Sequence, residues 1–342
     1  MTTVDPAPPP PMRLRELVFG AACAAAVRAA VRLGVADALD DTPMTVDDLA
    51  TAVKTQPHTL RRLLRALCCQ GVFAENPDGT FEHTEMSRLL REDDPHSLRY
   101  IALWCTEPWT WNVWPQLDEA VRSGRGVFED VYDQEFFTYL NESAPESAHV
   151  FNRAMTTSSE QSARDVARLL DLDDASSVVD IGGGQGHVLA SLLEKHPRLH
   201  GTLLDLPGVV ENADPRLRRG GSLAGRVDIV ARDCREGVPV RADVYIIKNV
   251  LEWDDDSTRR VLAGVRAAAR PGARVVVIEN LVDDTPSMRF TTAMDLLLLL
   301  NVGGAKHTRQ SMVDRLTDAG LVIDGVDPVN AYLHAFECTV PG

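Results

Sequence analysis

Val178-Val-Asp-Ile-Gly-Gly-Gly-Gln-Gly-His-Val-Leu-Ala-Ser-Leu-Leu193 decides the fold. A short apolar run carries Asp180 near its end, three consecutive glycines follow, then Gly186 and an apolar helical pattern. That order reads as strand, tight turn, helix. Glycines at such a turn permit positive φ and let the backbone approach a ligand closely. A second apolar run, Thr202-Leu-Leu, ends on Asp205, nineteen residues past Gly186. A doubly wound fold places there the carboxylate that accepts hydrogen bonds from a ribose. The stretch is therefore a nucleoside-binding unit. Its spacing is Gly182-x-Gly184-x-Gly186, so the last glycine of a dinucleotide fingerprint would fall on His187. This disfavours NAD and fits S-adenosylmethionine, which has no pyrophosphate.

Outward from this unit, strands and helices alternate from residue 175 onward: 178–181, 188–195, 202–204, 227–230, 243–247, 257–269, 273–280, 309–318 and a hairpin-like 321–338. The pattern predicts an α/β domain with a mostly parallel sheet, helices on both faces and an antiparallel end. Ligands of such sheets sit at the carboxyl ends of the strands. Asp180, Asp205, Asp233, Lys248 and Glu279 all lie at or just past such ends.

The N-terminal part reads differently. Residues 1–12, with Pro6 and Pro8 to Pro11, read as a flexible tail. An Ala-rich helical pattern runs from Val18 to Leu39 and is interrupted at Gly34. Thr45 is a good N-cap, and Pro57 opens a further helix through Leu67. Gly71 to His83 reads as two short strands around Asn76-Pro-Asp-Gly. Helix, turn, helix, hairpin is a winged-helix arrangement over residues 13–100. Residues 101–170 form a helical linker and substrate-pocket segment, and 171–342 the nucleoside-binding domain. The helical stretch from 97 carries Trp104, Trp109, Trp111 and Trp114. Packing between domains and an aromatic wall for a flat substrate account for them equally well. Phe151-Asn-Arg-Ala-Met155, with the hydroxyls that follow, reads by itself as helix surface.

Composition narrows the function. A net charge of −15 argues against nucleic acid, where a basic footprint is expected. It also favours dimerisation over DNA reading for the winged helix, and the Arg61, Arg62, Arg65 cluster reads as a solvated face. The six cysteines have no metal-ligand or disulfide-framework spacing, which fits reduced thiols in a cytoplasm. Leu296 to Leu300 is far too short to cross a membrane.

The chain resembles the S-adenosylmethionine-dependent small-molecule O-methyltransferases of the caffeate type, above all the antibiotic-tailoring enzymes of actinomycetes. The resemblance runs from about residue 13 to 340. It is carried by Leu60-Arg-Arg-Leu-Leu-Arg, Phe151-Asn-Arg-Ala-Met, Val179-Asp-Ile-Gly-Gly-Gly, Leu204-Asp-Leu-Pro, Ile247-Lys-Asn-Val-Leu with Trp253-Asp-Asp, and Gly303-Gly304. It implies an N-terminal winged-helix domain that interlocks a homodimer and a C-terminal Rossmann-like domain that binds S-adenosylmethionine. Carried over residue by residue, Asp180, Gly182, Gly184 and Leu206 line the cofactor, and Asp205 holds its ribose. Asp233 and Cys234 border the adenine, Lys248 closes the pocket, and Ser158 lies near the methionine end. Trp104, Trp109, Trp111, Phe151, Met155, Asn249 and Met294 are the implied acceptor-binding residues.

The family pattern also has a catalytic histidine in the strand-end segment, oriented by two glutamates. Here that segment reads Asn249-Val-Leu-Glu252-Trp253, one residue shorter and without histidine. Glu279 matches the first glutamate, Lys306 stands where the second belongs, and His307 replaces an arginine. Three readings of Glu252 and His307 stay open. Glu252 replaces the base, or is a solvated cap for the helix at 257, or His307 takes over from across the pocket. A metal bridged by Glu252 and His307 is a further reading, but two ligands lack a third. The resemblance implies methylation of a small aromatic or polyketide-type acceptor, on oxygen first and on nitrogen or carbon otherwise, mainly by proximity. Hydroxylation, decarboxylation or cyclisation on a methyltransferase-like scaffold is the alternative. Neither nucleic acid nor membrane is an expected partner.

Overall fold

A computed structural model describes residues 8–342 of the chain, which divides into two compact units at Thr110/Trp111. Residues 1–7, most of the expected tail, lie outside the described residues, and a helix already begins at Pro10.

The first unit is helical with one small hairpin. Helix Gly20–Leu33 ends where Gly34 adopts the left-handed conformation at φ 68°, as a glycine C-cap does at no steric cost. Thr45 caps Val46–Ala52 by accepting from the Asp48 N–H at 3.2 Å, and Pro57 occupies the first turn of Pro57–Cys68. Strands β1 (Phe73–Glu75) and β2 (Phe81–His83) pair antiparallel around the Asn-Pro-Asp-Gly turn. Their phenylalanines close a core with Val31, Val35, Leu49, Leu60, Leu64 and Leu67. Helix, helix and hairpin thus form the expected winged-helix pattern. Arg61 and Arg65 both reach Glu75, at 2.9 and 3.0 Å, so two of the three clustered arginines share one carboxylate of the wing.

Residues 101–107 are tied to this unit. Arg28 donates to the Leu103 carbonyl and to Thr106, and pairs with Glu107 at 3.0 Å. The helical segment expected over 101–170 is therefore shared between the units. Helix Pro10–Val18 buries none of its residues and exposes Met12, Leu14, Leu17 and Val18, with Phe19 beyond it. An apolar stripe of that length needs a cover.

The second unit is built on a seven-stranded sheet. Its strands are β3 (Ser177–Ile181), β4 (His200–Asp205), β5 (Val227–Ala231), β6 (Val244–Lys248), β7 (Arg274–Glu279), β8 (Val322–Pro328) and β9 (His334–Thr339). The order is β5-β4-β3-β6-β7-β9-β8, parallel from β5 to β7 and antiparallel around β9. The central strands β3, β6 and β7 read as near-continuous apolar runs because both faces are covered. Val179, Tyr245, Ile247 and Val275 pack on one side with helices Asp255–Ala268 and Arg309–Asp318. Val178, Ile246, Val276 and Ile278 pack on the other with Pro145–Leu169 and His187–Lys195. Chain direction across the sheet reverses between β3 and β6, and that reversal marks the ligand-binding edge of a doubly wound sheet. The expectation omitted the short helix Pro207–Val210 and helix Met288–Val302, which holds the Leu296–Leu300 run and ends on Gly303 at φ 65°.

Candidate functional site

At the switch point, the turn after β3 does what its glycines permit. Gly182, Gly184 and Gly186 all have positive φ, between 61° and 83°. Three of the four glycines are also sterically required. A Cβ on Gly182 would lie 2.6 Å from Val250, one on Gly183 2.6 Å from the Asp180 carboxyl carbon, and one on Gly186 2.5 Å from Leu217. Gly184 is the exception: a Cβ there meets nothing within 4 Å. Its N–H donates to Asp205 Oδ2 at 2.7 Å, while Leu206 N–H donates to Oδ1 at 2.7 Å. The first and second strand ends are thereby locked together, with one lone pair on each carboxylate oxygen still free. Gln185 is held from the helix Pro145–Leu169 by Thr156, whose hydroxyl hydrogen-bonds Oε1 at 2.9 Å. Ser158 is exposed on the same helix.

Burial sets the electrostatics. Desolvation pushes Asp205 up to about 6 against the two N–H bonds that favour its charge. Asp180, with Oδ2 buried and without a hydrogen-bond partner, rises to about 7, opposed by Lys248. Burial lowers Lys248 from the ordinary lysine range, against the attraction of Asp180, Glu279 and Glu252. Past β5, Asp233 caps the turn Cys234–Glu236 and accepts from Arg235 through backbone and side chain. Burial raises its pKa, and Arg235 more than offsets this, leaving it below the usual carboxylate value. Arg235 also lies over the Trp253 ring, 5.7 Å from its centroid. Burial pushes the Cys234 thiol up to about 12.

A second cluster follows β6. Asn249 takes φ 54°, a left-handed conformation rare outside glycine, and its Oδ1 is buried without a partner. Glu279, at the end of β7, accepts from the N–H groups of Val250 and Leu251 at 3.2 and 3.0 Å. Burial, then Glu252, pushes it up to about 8. Glu252 does not cap the next helix. Asp254 does, accepting from Asp256 and Ser257 at 3.0 Å each, because an N-cap must directly precede the first helical residue, here Asp255. The solvated-cap reading of Glu252 is thereby corrected: its carboxylate is ion-paired with Lys306, and the two side chains are 14% and 8% exposed. His307 is buried with Nε2 at 2.7 Å from the Leu251 carbonyl, to which a neutral ring donates its Nε2 proton, leaving Nδ1 as the unprotonated nitrogen. Burial lowers its pKa, against the opposing hydrogen bond to Leu251. Among the described residues no group of three His, Cys, Asp or Glu side chains is placed to hold a metal ion.

Trp104 and Trp109 belong to the first unit and are buried, and Trp111 belongs to the second. Within the second unit, Phe128, Tyr132, Phe136, Phe137, Tyr139, Phe151 and Trp253 form a continuous aromatic cluster among the described residues. The Phe136–Phe151 and Phe137–Trp253 centroids lie 5.8 and 5.5 Å apart. Phe137 carries no spacing signal in the sequence. Met155 and Met294 are half-buried on separate helices.

Fold and turn together define a nucleoside-binding enzyme domain of the doubly wound class, with a buried acid–base cluster at the neighbouring strand end. The O-methyltransferase domain model matches residues 114–322, and the O-methyltransferase dimerisation domain model matches residues 15–93. The chain belongs to the O-methyltransferase family. It is 39% identical over 93% of its length to the mitomycin biosynthesis 6-O-methyltransferase of Streptomyces lavendulae, covering 91% of that protein. It is 32% identical to the 8-amino-8-demethylriboflavin N,N-dimethyltransferase of Streptomyces davaonensis, over 91% of this chain and 90% of that one. The structure of CalO1, a methyltransferase in calicheamicin biosynthesis in its S-adenosylhomocysteine-bound form, superposes with TM-score 0.82 at 32% identity, covering 97% and 98% of the two chains.

Proposed function

We propose that this chain is an S-adenosylmethionine-dependent methyltransferase acting on a small aromatic or polyketide-type natural product, with an oxygen as the acceptor atom. The observation that carries the reading is Gly184, whose N–H is bound to Asp205 while its Cα faces open space. Gly182 and Gly184 offer bare backbone to a nucleoside. Asp205 keeps an acceptor lone pair on each oxygen for ribose hydroxyls, and the orphaned Asp180 Oδ2 offers another acceptor. These residues, with Leu206, Asp233, Cys234, Lys248 and Ser158, are the ones we assign to S-adenosylmethionine, and the donor set fits it. When bound, the cofactor supplies an electrophilic methyl carbon on a sulfonium.

The chain's own task is to bind the acceptor, hold its oxygen in line and exclude water. We assign acceptor contacts to Trp111, Phe151, Met155, Asn249 and Met294, all residues of the second unit. The relatives named above are methyltransferases on oxygen and on nitrogen, and nothing supports hydroxylation, decarboxylation or cyclisation here. The test is incubation with methyl-labelled S-adenosylmethionine and extracts of aromatic and polyketide metabolites. Transfer of one labelled methyl with stoichiometric S-adenosylhomocysteine is expected, and release of S-adenosylhomocysteine without a methylated product would refute it.

We further propose a homodimer formed through the first unit. The dimerisation-domain match covers it, and its exposed Met12, Leu14, Leu17, Val18 and Phe19 are the surface such a partner would cover. Deleting residues 13–100 is expected to give aggregated or monomeric, inactive protein in light-scattering and methyl-transfer assays. A soluble, active fragment from about residue 111 would contradict this. We place the enzyme in the cytoplasm, in keeping with six free thiols. Among the described residues no helix is long and apolar enough to cross a membrane.

A further inference from the structure

Lys306 is the residue at this site whose presence the methyltransferase reading leaves unexplained. It follows helix Met288–Val302 on the loop that opens with Gly303-Gly304. Its backbone N–H donates to Asp295 Oδ1 at 2.6 Å, and the preceding Ala305 N–H donates to the Glu252 carbonyl at 3.1 Å. With its backbone held at both points, its buried side chain ends on Glu252 Oε2. No described residue donates to Glu252 Oε1. The carboxylate is thus clamped through one oxygen and open through the other. Beneath it, Glu279 has its Oε1 taken by two backbone N–H groups and is pushed up to about 8 by burial.

We propose that Lys306 is a positioning residue of the methyl-transfer site, pinning Glu252 as a carboxylate through Oε2 so that Oε1 receives the proton of the acceptor hydroxyl. The proposal rests on the methyltransferase reading. The balance closes: the hydroxyl proton goes to Glu252, an oxygen lone pair forms the new C–O bond, and the electron pair of the broken C–S bond stays on sulfur. The charged and titratable groups facing this pair are Glu279 on β7, Lys248 on β6, Asp295 on helix Met288–Val302 and His307 on the same loop. A lysine reads as an odd replacement for an orienting glutamate beside a histidine. Beside a carboxylate base it is the counter-charge that fixes one of the two oxygens.

The test compares wild-type enzyme with Lys306→Met, Lys306→Gln, Lys306→Arg, Glu252→Gln and the double variant Glu252→Gln/Lys306→Met. The probes are a hydroxynaphthoic acid and an aminohydroxybenzoic acid with saturating S-adenosylmethionine. Glu252→Gln is expected to lower kcat by ~10²–10⁴, the usual contribution of a positioned base, with cofactor affinity unchanged. Lys306→Met and Lys306→Gln are expected to move the acid limb of the kcat profile up by about 1–3 pH units, as loss of an adjacent opposite charge does. Their deficit therefore shrinks on the alkaline side. Lys306→Arg should retain most of the activity, and the double variant should be no slower than Glu252→Gln. An unshifted profile in folded Lys306→Met and Lys306→Gln, or losses that multiply in the double variant, would overturn the proposal. A second readout needs no acceptor. In protein labelled with carboxyl-¹³C glutamate, the signal missing from Glu252→Gln should protonate at higher pH in Lys306→Gln than in wild type, and coincident titrations would also overturn it. If wild type methylates neither probe, it is the acceptor assignment that fails, and the titration still decides the role of Lys306.

Discussion

Asp205→Ala is expected to abolish measurable S-adenosylmethionine binding. The side chain has two tasks that alanine removes together. It presents charged acceptors to the ribose, and a hydrogen bond to a charged group is worth about 1.5–3 kcal/mol. It also satisfies the N–H groups of Gly184 and Leu206 at 2.7 Å each, and a buried donor left unpaired costs about 1–3 kcal/mol. Losing both should weaken affinity by ~10²-fold or more. Asparagine should not rescue it, because each oxygen accepts a backbone N–H and the amide NH₂ would have to oppose one of them. Burial holds this carboxyl at about 6. Below that pH a proton turns one acceptor into a donor, so affinity should fall on the acid side and recover as the pH rises.

Gly184→Ala is the companion measurement. Its Cβ would meet no protein atom, so the folded chain bears only the left-handed strain at φ 61°, about 1–2 kcal/mol. A disproportionate loss of cofactor affinity therefore reports a ligand against that bare Cα. Isothermal titration with S-adenosylmethionine and S-adenosylhomocysteine decides both, and wild-type affinity in the two variants would remove the nucleoside site from this turn.

Gly304→Ala is expected to do the greatest structural damage for the smallest chemical change. A Cβ there would stand 2.0 Å from the Glu252 carbonyl oxygen and 3.0 Å from the Trp253 Cα. Both are backbone atoms, so no side chain can turn aside to relieve the clash. The segment they belong to is also pinned from other sides. Glu279 holds the N–H groups of Val250 and Leu251, and His307 holds the Leu251 carbonyl. Overpacking a well-filled site costs about 1–3 kcal/mol, and this collision should reach or exceed the top of that range. The Glu252 carboxylate must shift with its backbone, so turnover should fall by more than tenfold along with Tm. Gly303→Ala should be milder, meeting only left-handed strain at φ 65° and a 3.1 Å contact with Gly126 N. Thermal unfolding and methyl-transfer rates check the pair, and a Gly304→Ala enzyme with wild-type Tm and rate would contradict the packing described.

The sequence by itself determined the elements whose signals are local. Periodicity marked the alternating strands and helices, Thr45 and Pro57 marked helix starts, and Gly34 marked a helix end. The turn after β3 was legible because positive φ and close backbone approach both demand glycine, and the spacing to Asp205 needs only one strand and one helix. The base cluster was not legible, because its members come from β6, β7 and the loop after Met288–Val302. Glu252 and Lys306 are 54 positions apart. In sequence, Glu252 before three aspartates looks like any solvated acidic loop. Only the tertiary structure hands the cap to Asp254, buries Glu252 against Lys306 and closes His307 onto a carbonyl. A charge discloses its role only when its solvent is known, and that is decided by the chain segments folded over it.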